Sequence, residues 1–143
     1  MILWRISNHA TLDGVGGLKF SGRWHTKGRP IVYAADHPAS ALLEMLAHTD
    51  SALLPRSFQM LKIVLPPNAE RQRSNPPPGW RGNLKLSRNI GNAWLESKNG
   101  LLLEVPSAIL PDVFHTLINP QHPDAHRLNI LSVEAVPLDA RLK

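Results

Sequence analysis

Cysteine is absent from the 143-residue chain. This absence excludes a disulfide framework, a thiolate zinc site and a thiol nucleophile. The chain also lacks an apolar run near the roughly 18 residues that a membrane-spanning helix needs, and residues 1–5 lack the basic stretch and apolar core of a signal peptide. We therefore expect a protein of a reducing compartment, located in the cytoplasm and without a membrane partner.

Charged residues make up only 19% of the chain, whereas apolar residues reach 43%, which is close to ordinary globular usage. That balance excludes a largely disordered chain, and the length predicts a single domain over residues 1–143. Acidic residues number 11 against 16 Lys and Arg, so the net charge is +5. A basic surface attracts nucleic acid, phosphorylated small molecules or an acidic protein, and charge alone does not choose among them.

Short apolar runs, punctuated by proline and glycine, predict a mixed α+β fold. We expect strands near residues 3–6, 31–34, 58–65, 101–105, 117–118 and 128–136. Helices are expected after a cap at Asp36, with an apolar stripe over residues 39–46, and over residues 86–94, with Ser87 as a possible cap. The glycine-rich residues 13–17 and the proline-rich residues 66–83 are predicted to be loops.

Two segments could carry chemistry, and each also has a purely structural interpretation. Arg23, between Gly22 and Trp24, offers a planar fork of donors that matches phosphate oxygens, with the aromatic Tyr33 nearby. A surface arginine beside a core tryptophan explains the same residues. Glu44 is offset from the apolar stripe of its helix, so it lies either on a solvated face or in a cleft. In a cleft, its carboxylate could stabilise a positively charged transition state at a sugar carbon.

Ser107 and a proline-bounded turn are weaker candidates. Ser107 follows the end of a strand, where it could serve a site or cap a turn. Asn119 and His122 belong to a turn that either presents an imidazole to a ligand or closes the fold. The seven histidines show no metal-binding spacing, so we predict no metal, and the chain has no Rossmann or Walker glycine pattern.

Taken in order, these segments resemble the RES family, whose domain is named for an arginine, a glutamate and a serine. By position, these would be Arg23, Glu44 and Ser107. Ser21 and His25 depart from the family's pattern, which usually has glycine and asparagine at those positions. The matching segments span nearly the whole chain: residues 3–5, 13–14, 22–24, 28–34, 41–44, 91 with 94, 102–108, 119–120 and 122–123.

The resemblance implies an α+β fold with a mixed, split β-sheet core and flanking helices, like that of the ADP-ribosyltransferase toxins. It also implies a toxin of a toxin–antitoxin pair that cleaves the nicotinamide–ribose bond of NAD⁺, by hydrolysis or by phosphorolysis. ADP-ribosylation of a protein target is the alternative reaction. The expected partner is an antitoxin with an Xre-type helix-turn-helix, which would block the active site and provide the only link to DNA.

The resemblance also assigns roles to individual residues. Arg23 would hold the pyrophosphate, Tyr33 would stack on nicotinamide, and Glu44 would stabilise charge at the anomeric carbon. Ser107 would position the ribose or the carboxamide. The catalytic set is therefore Arg23, Tyr33, Glu44 and Ser107, and the residues expected to contact NAD⁺ are Gly22, Arg23, Trp24, Tyr33, Ser107, Asn119 and His122.

Two other classes of function remain open at this point. Trp24 and Trp80, among basic residues, could form a stacking surface for single-stranded nucleic acid, which predicts salt-sensitive binding and no effect on NAD⁺. A RES fold without activity could serve only as a binding partner. The intact Arg23, Glu44 and Ser107 argue against that last possibility.

Overall fold

The central feature of the computed structural model, which describes residues 1–142, is a mixed seven-stranded sheet with the order β4-β5-β6-β2-β1-β3-β7. Strands β4 and β5 run parallel, and the other neighbouring strands are antiparallel. The α+β prediction is confirmed. The strands are β1 (Ile2–Ile6), β2 (Val32–Ala35), β3 (Ser57–Val64), β4 (Arg71–Arg73), β5 (Leu102–Pro106), β6 (Phe114–Ile118) and β7 (Asn129–Pro137), and the α-helices are α1 (Val15–Lys19), α2 (Pro38–His48) and α3 (Leu84–Ser97).

The sheet is nearly divided between β1 and β2. Strand β1 pairs with β3 along its whole length, whereas it meets β2 only where Trp4 lies opposite Ala35. Two half-sheets, β4-β5-β6-β2 and β1-β3-β7, therefore share a narrow junction, which is the split core that the resemblance implies. Because strands that share one pair diverge on either side of it, the junction leaves room for a cavity.

Two apolar clusters form the core on the two faces of the sheet, since the adjacent residues Leu102 and Leu103 of β5 belong to different clusters. One contains Leu3 of β1 together with β2, β3, β5 and β6 residues such as Val32, Ile63 and Leu102. The other contains Trp24, Trp80 and Trp94. Trp24 and Trp80 are only 3% and 6% exposed, and their ring centroids lie 5.3 Å apart. The prediction that these two rings form a nucleic-acid stacking surface is wrong, because neither offers a free face to a base.

Helix α3 seats the segment that contains Arg23. A side chain at Gly91 would collide with the backbone carbonyl of Trp24, so only glycine allows the helix to approach this closely. One turn earlier, the Ser87 hydroxyl donates a hydrogen bond to the Arg23 carbonyl at 2.6 Å. The packing of α3 thus fixes the backbone of Arg23 and Trp24 beside the junction.

Several local predictions are corrected by the structure. Residues 15–19 form a short helix instead of a loop, because Asp13 Oδ1 accepts a hydrogen bond from the Val15 N–H at its start. Helix α2 is capped by His37, not by Asp36. Helix α3 is capped by Asn83, whose side chain accepts from Leu86 N–H, and the predicted cap Ser87 lies inside the helix.

The predicted loop at residues 66–83 contains the short strand β4, which pairs with β5 at the edge of the sheet. Over residues 1–142, no helix is both long and apolar enough to cross a membrane.

Candidate active site

A cavity of about 570 Å³ lies at the junction of the half-sheets and beneath α2. Its size falls within the range of small-molecule binding sites. Strand β1 contributes Trp4, Arg5 and Ile6, and β2 contributes Tyr33, Ala34 and Ala35. The remaining walls come from the segment Gly22-Arg23-Trp24, from α2, from the end of β5 and from His115 on β6.

Glu44 faces this cavity from α2. Four residues of α2 line the cavity, and their spacing of three or four positions places them on one face of the helix: Ala41, Glu44, Met45 and His48. The structure thus places the Glu44 carboxylate in a cleft, with its side chain 28% exposed. None of the residues of α2, all of which the structure describes, is fully buried. The helix rests over the cavity and not on a packed core.

Two histidines flank the Glu44 carboxylate. His115 Nε2 lies 2.8 Å from Glu44 Oε1, and His48 Nδ1 lies 3.5 Å from Oε2. The His115 contact is close but is not a straight hydrogen bond, because Nε2 is not aligned with any acceptor in residues 1–142. Burial alone would raise the pKa of Glu44. The contact and charge of His115, the charge of His48 and, least of all, the nearby Ser107 hydroxyl outweigh it and lower that pKa.

Arg5 is a cavity residue to which the sequence analysis gave no role. Its Nη1 donates to the Tyr33 carbonyl at 2.8 Å, across the narrow junction, and its Nε is buried without a hydrogen-bond partner among the residues described. Burial lowers the pKa of Arg5, but a guanidinium still remains protonated at neutral pH. A buried cation with an unused donor beside a cavity is suited to an anionic ligand. The sequence did carry one indication of this role, which is an arginine within an otherwise apolar strand.

Tyr33 lines the cavity with its hydroxyl already occupied. His25 Nε2 lies 2.9 Å from the Phe20 carbonyl and must donate to it, so Nδ1 accepts from the Tyr33 hydroxyl at 2.7 Å. The same hydroxyl accepts from the Trp24 N–H at 3.1 Å. Burial raises the pKa of Tyr33 and lowers that of His25, so both side chains are neutral near pH 7.

The two departures from the family's pattern thus have structural roles. His25 locks the Tyr33 hydroxyl, and Ser21 accepts a hydrogen bond from the Lys27 N–H at 2.9 Å. Gly22 lies so close to the Tyr33 hydroxyl that a side chain there would collide with it. Glycine at this position lets the segment close over the tyrosine.

Arg23 and Ser107 are held near each other by Arg81. Arg23 lines the cavity and donates through Nη1 to the Arg81 carbonyl at 3.2 Å, while Arg81 Nη2 lies 3.3 Å from the Ser107 carbonyl. The buried Ser107 hydroxyl oxygen accepts from Ile109 N–H at 3.0 Å and from Leu110 N–H at 3.4 Å. Its effect on the pKa of Glu44 is the smallest among the causes that lower it. Ser107 therefore shapes the turn, and it lies outside the set of described residues that line the cavity.

Asn119 and His122 lie outside the set of described residues that line the cavity. The Asn119 side chain donates to the Leu95 carbonyl at 3.1 Å and accepts from Gln121 N–H at 3.0 Å. His122 Nδ1 accepts from Asp124 N–H at 3.0 Å. These bonds stabilise the turn and join it to α3. No group of three or more histidine or acidic side chains within residues 1–142 is arranged to hold a metal ion.

The model of the RES domain matches residues 2–140 of this chain. The chain belongs to the RES domain family. It is 46% identical to a Pseudomonas putida protein named "Toxin Res" over 145 residues, covering 99% of each chain. It is 35% identical to the "Prs ADP-ribosylating toxin" of Sphingobium sp. over 152 residues, covering 97% of this RES chain and 94% of that relative.

A solved structure shares the RES fold of this chain. A chain in the crystal structure of the M. tuberculosis MbcT–MbcA toxin–antitoxin complex superposes with a TM-score of 0.72. The superposition covers 95% of this chain and 84% of that one, at 15% sequence identity. At this low identity the likeness shows the fold alone, and it agrees with the mixed sheet and the few helices described above.

Proposed function

We propose that this RES protein is the toxin of a toxin–antitoxin pair and that it cleaves the nicotinamide–ribose bond of NAD⁺. The observation that carries the proposal is the convergence of Arg5, Arg23, Tyr33 and Glu44 on one cavity at the sheet junction. The names of the relatives support it, since two are called "Toxin Res" and one is called an ADP-ribosylating toxin. Transfer of ADP-ribose also begins by breaking this same bond.

Glu44 supplies the electrostatic part of the chemistry. When the bond from ribose C1′ to the nicotinamide nitrogen breaks, its electron pair leaves with nicotinamide and positive charge develops on the sugar. A carboxylate beside C1′ stabilises that charge, provided that it is ionised. The lowered pKa of Glu44 keeps it ionised at neutral pH. An acceptor oxygen, from water, phosphate or a protein, then bonds to C1′ and releases its proton.

The arginines and the tyrosine bind and orient the substrate. Arg5 and Arg23 are cations on the cavity wall, and guanidinium groups match the oxygens of a pyrophosphate. Tyr33 acts through its ring, because His25 and Trp24 already occupy its hydroxyl. Gly22 and Trp24 contribute to the wall beside it. Ser107 supports the reaction only by helping to lower the pKa of Glu44, and we assign Asn119 and His122 to the fold.

The test is release of nicotinamide from NAD⁺ by the purified protein, with and without inorganic phosphate. Release that requires phosphate identifies a phosphorylase, and release without it identifies a glycohydrolase. We expect Glu44→Gln, which keeps the size of the side chain, to lower turnover by about 10²–10³-fold. A folded Glu44→Gln protein that releases nicotinamide at the parental rate would contradict the proposal.

Protein ADP-ribosylation is a second candidate, favoured by the name of the Sphingobium relative. It predicts little release from NAD⁺ alone and transfer of labelled ADP-ribose to a protein when a bacterial lysate is added. If folded wild-type protein gives neither release nor transfer, the proposed cleavage of NAD⁺ is wrong.

The proposed partner is an antitoxin of the Xre helix-turn-helix type that covers the cavity. The net charge of +5 suits an acidic segment on that partner, and the solved structure with the same fold is a toxin–antitoxin complex. Co-purification with the product of a neighbouring reading frame, followed by loss of nicotinamide release in the complex, tests this assignment.

A further inference from the structure

His115 lies in the middle of the sheet, directly opposite the carboxylate of Glu44. Its backbone is paired with Ala35 of β2 on one side and with Val105 of β5 on the other. Its side chain is only 13% exposed and lines the cavity. The strand ladders on both sides fix the position of this imidazole, which the sequence analysis did not single out.

The helix that carries Glu44 is held much less firmly. Helix α2 has no fully buried residue among its described positions, and it packs chiefly on β1 and β2 over an open cavity. A glutamate has three rotatable side-chain bonds, so packing of this kind leaves its carboxylate several orientations. The contact of 2.8 Å from His115 Nε2 to Glu44 Oε1 joins the carboxylate to the rigid part of the sheet.

We propose that His115 is a positioning residue that holds the Glu44 carboxylate toward the reacting ribose, a role that rests on the proposed cleavage of NAD⁺. The correct orientation of a catalytic group is a large part of its effect, and small displacements cost rate steeply. His115 acts on the substrate through Glu44, so its removal lowers kcat and leaves the KM for NAD⁺ nearly unchanged.

His48 cannot perform the same task, although it contacts the same carboxylate. It lies on α2 itself, its Nδ1 is 2.7 Å from the Glu44 carbonyl, and its side chain is 70% exposed. It therefore moves with Glu44 and is surrounded by water, where ion pairs contribute little. Besides the two histidines, the charged side chains that line this cavity are Arg5 of β1 and Arg23 beside α3.

Two amide substitutions at position 115 separate positioning from packing. The amide nitrogen of glutamine reaches about as far as histidine Nε2, whereas that of asparagine reaches only about as far as Nδ1. We expect His115→Asn and His115→Ala to lower kcat by about 10- to 100-fold, and His115→Gln to restore it to within about threefold of wild type. In a Glu44→Ala background, His115→Asn should have no further effect, since it then has nothing to position.

A second readout does not depend on turnover. The Glu44 carboxyl can be titrated by carbon-13 NMR, and its signal is assigned by its loss in Glu44→Gln. We expect its pKa to rise in His115→Asn and to rise less in His115→Gln, because glutamine loses the charge of the imidazole but retains a donor within reach. His126→Gln is the matched control, since His126 is exposed and bonds only to the Pro123 carbonyl in its own turn.

The outcomes distinguish this inference from the proposed function. A wild-type protein without NAD⁺ turnover contradicts the proposed function, and the role of His115 in that reaction is then withdrawn. If wild type is active, two results overturn the positioning role alone. One is an unchanged kcat and Glu44 titration in His115→Asn, and the other is an equal loss in His115→Gln and His115→Asn at unchanged thermal stability.

Discussion

Glu44 and Asn119 are both polar residues in segments that resemble the RES family, yet they use their polar atoms in opposite ways. Asn119 is 1% exposed, and its amide bonds to backbone groups of α3 and of its own turn. Glu44 faces an open cavity from a half-buried helix, and it contacts side chains that are themselves ionisable. A buried polar group satisfied by the backbone serves the fold, whereas a charged group facing open space is available for a ligand.

Substitution of Asn119 gives the largest expected loss of stability. It also tests whether Asn119 serves the fold and not the ligand site. Asn119→Ala leaves the Leu95 carbonyl and the Gln121 N–H without partners, which costs about 2–3 kcal/mol of unfolding free energy. We expect turnover per folded molecule to remain at the wild-type level. Denaturant unfolding and nicotinamide release, measured on the same sample, check both parts. Lost turnover at unchanged stability would instead place Asn119 in the ligand site.

Removal of the Tyr33 hydroxyl should cost less stability than removal of the Asn119 amide. It sharpens the comparison, because the Tyr33 hydroxyl bonds to groups of the fold while the residue also lines the cavity. Tyr33→Phe leaves the Trp24 N–H and His25 Nδ1 unpaired, so we expect a loss of about 1–2 kcal/mol of stability. The ring remains, and turnover should stay within about tenfold of wild type. Tyr33→Leu is the matched variant, because it removes the aromatic ring as well and should raise the KM for NAD⁺. Equal loss of kcat in both variants would mean that the hydroxyl takes part in the reaction.

The difference between residues that serve the fold and residues that face the cavity also explains which features could be predicted from the sequence. Short apolar runs predict most of the strands, because burial of alternate residues is a local pattern. The helical offset of Glu44 from its apolar stripe predicts a polar face, and the structure supplies the cavity that this face lines. The sequence analysis missed helix α1. The hydrogen bond from the Val15 N–H to the Asp13 side chain outweighs the cost of the two glycines in this helix.

Arg5 and His115 could not be assigned from spacing, because their roles depend on strand order. Arg5 faces the cavity only because β1 meets β2 at one residue pair. His115 reaches Glu44 only because β6 lies beside β2, and nothing along the chain predicts that neighbourhood. Residues of this kind become visible when the topology is known, and local patterns then explain why each side chain points where it does.

The pH dependence has the smallest expected effect on stability and tests the ionised state of Glu44. The folded-state pKa of Glu44 lies below its ordinary value of 4.5, so its contribution to stability is present above pH 4.5 and is lost as the pH falls through the lowered pKa. Because the side chain is 28% exposed and its contacts with the histidines are screened, we expect this contribution to the unfolding free energy to be well under about 1 kcal/mol.

Turnover depends on the ionisation of Glu44 far more strongly. The acid limb of its pH profile should therefore lie at a lower pH than an ordinary glutamate would give. In His115→Asn this limb should move to higher pH, whereas the unfolding free energy at pH 7 should change little. A limb that does not move would mean that another group controls the reaction at low pH.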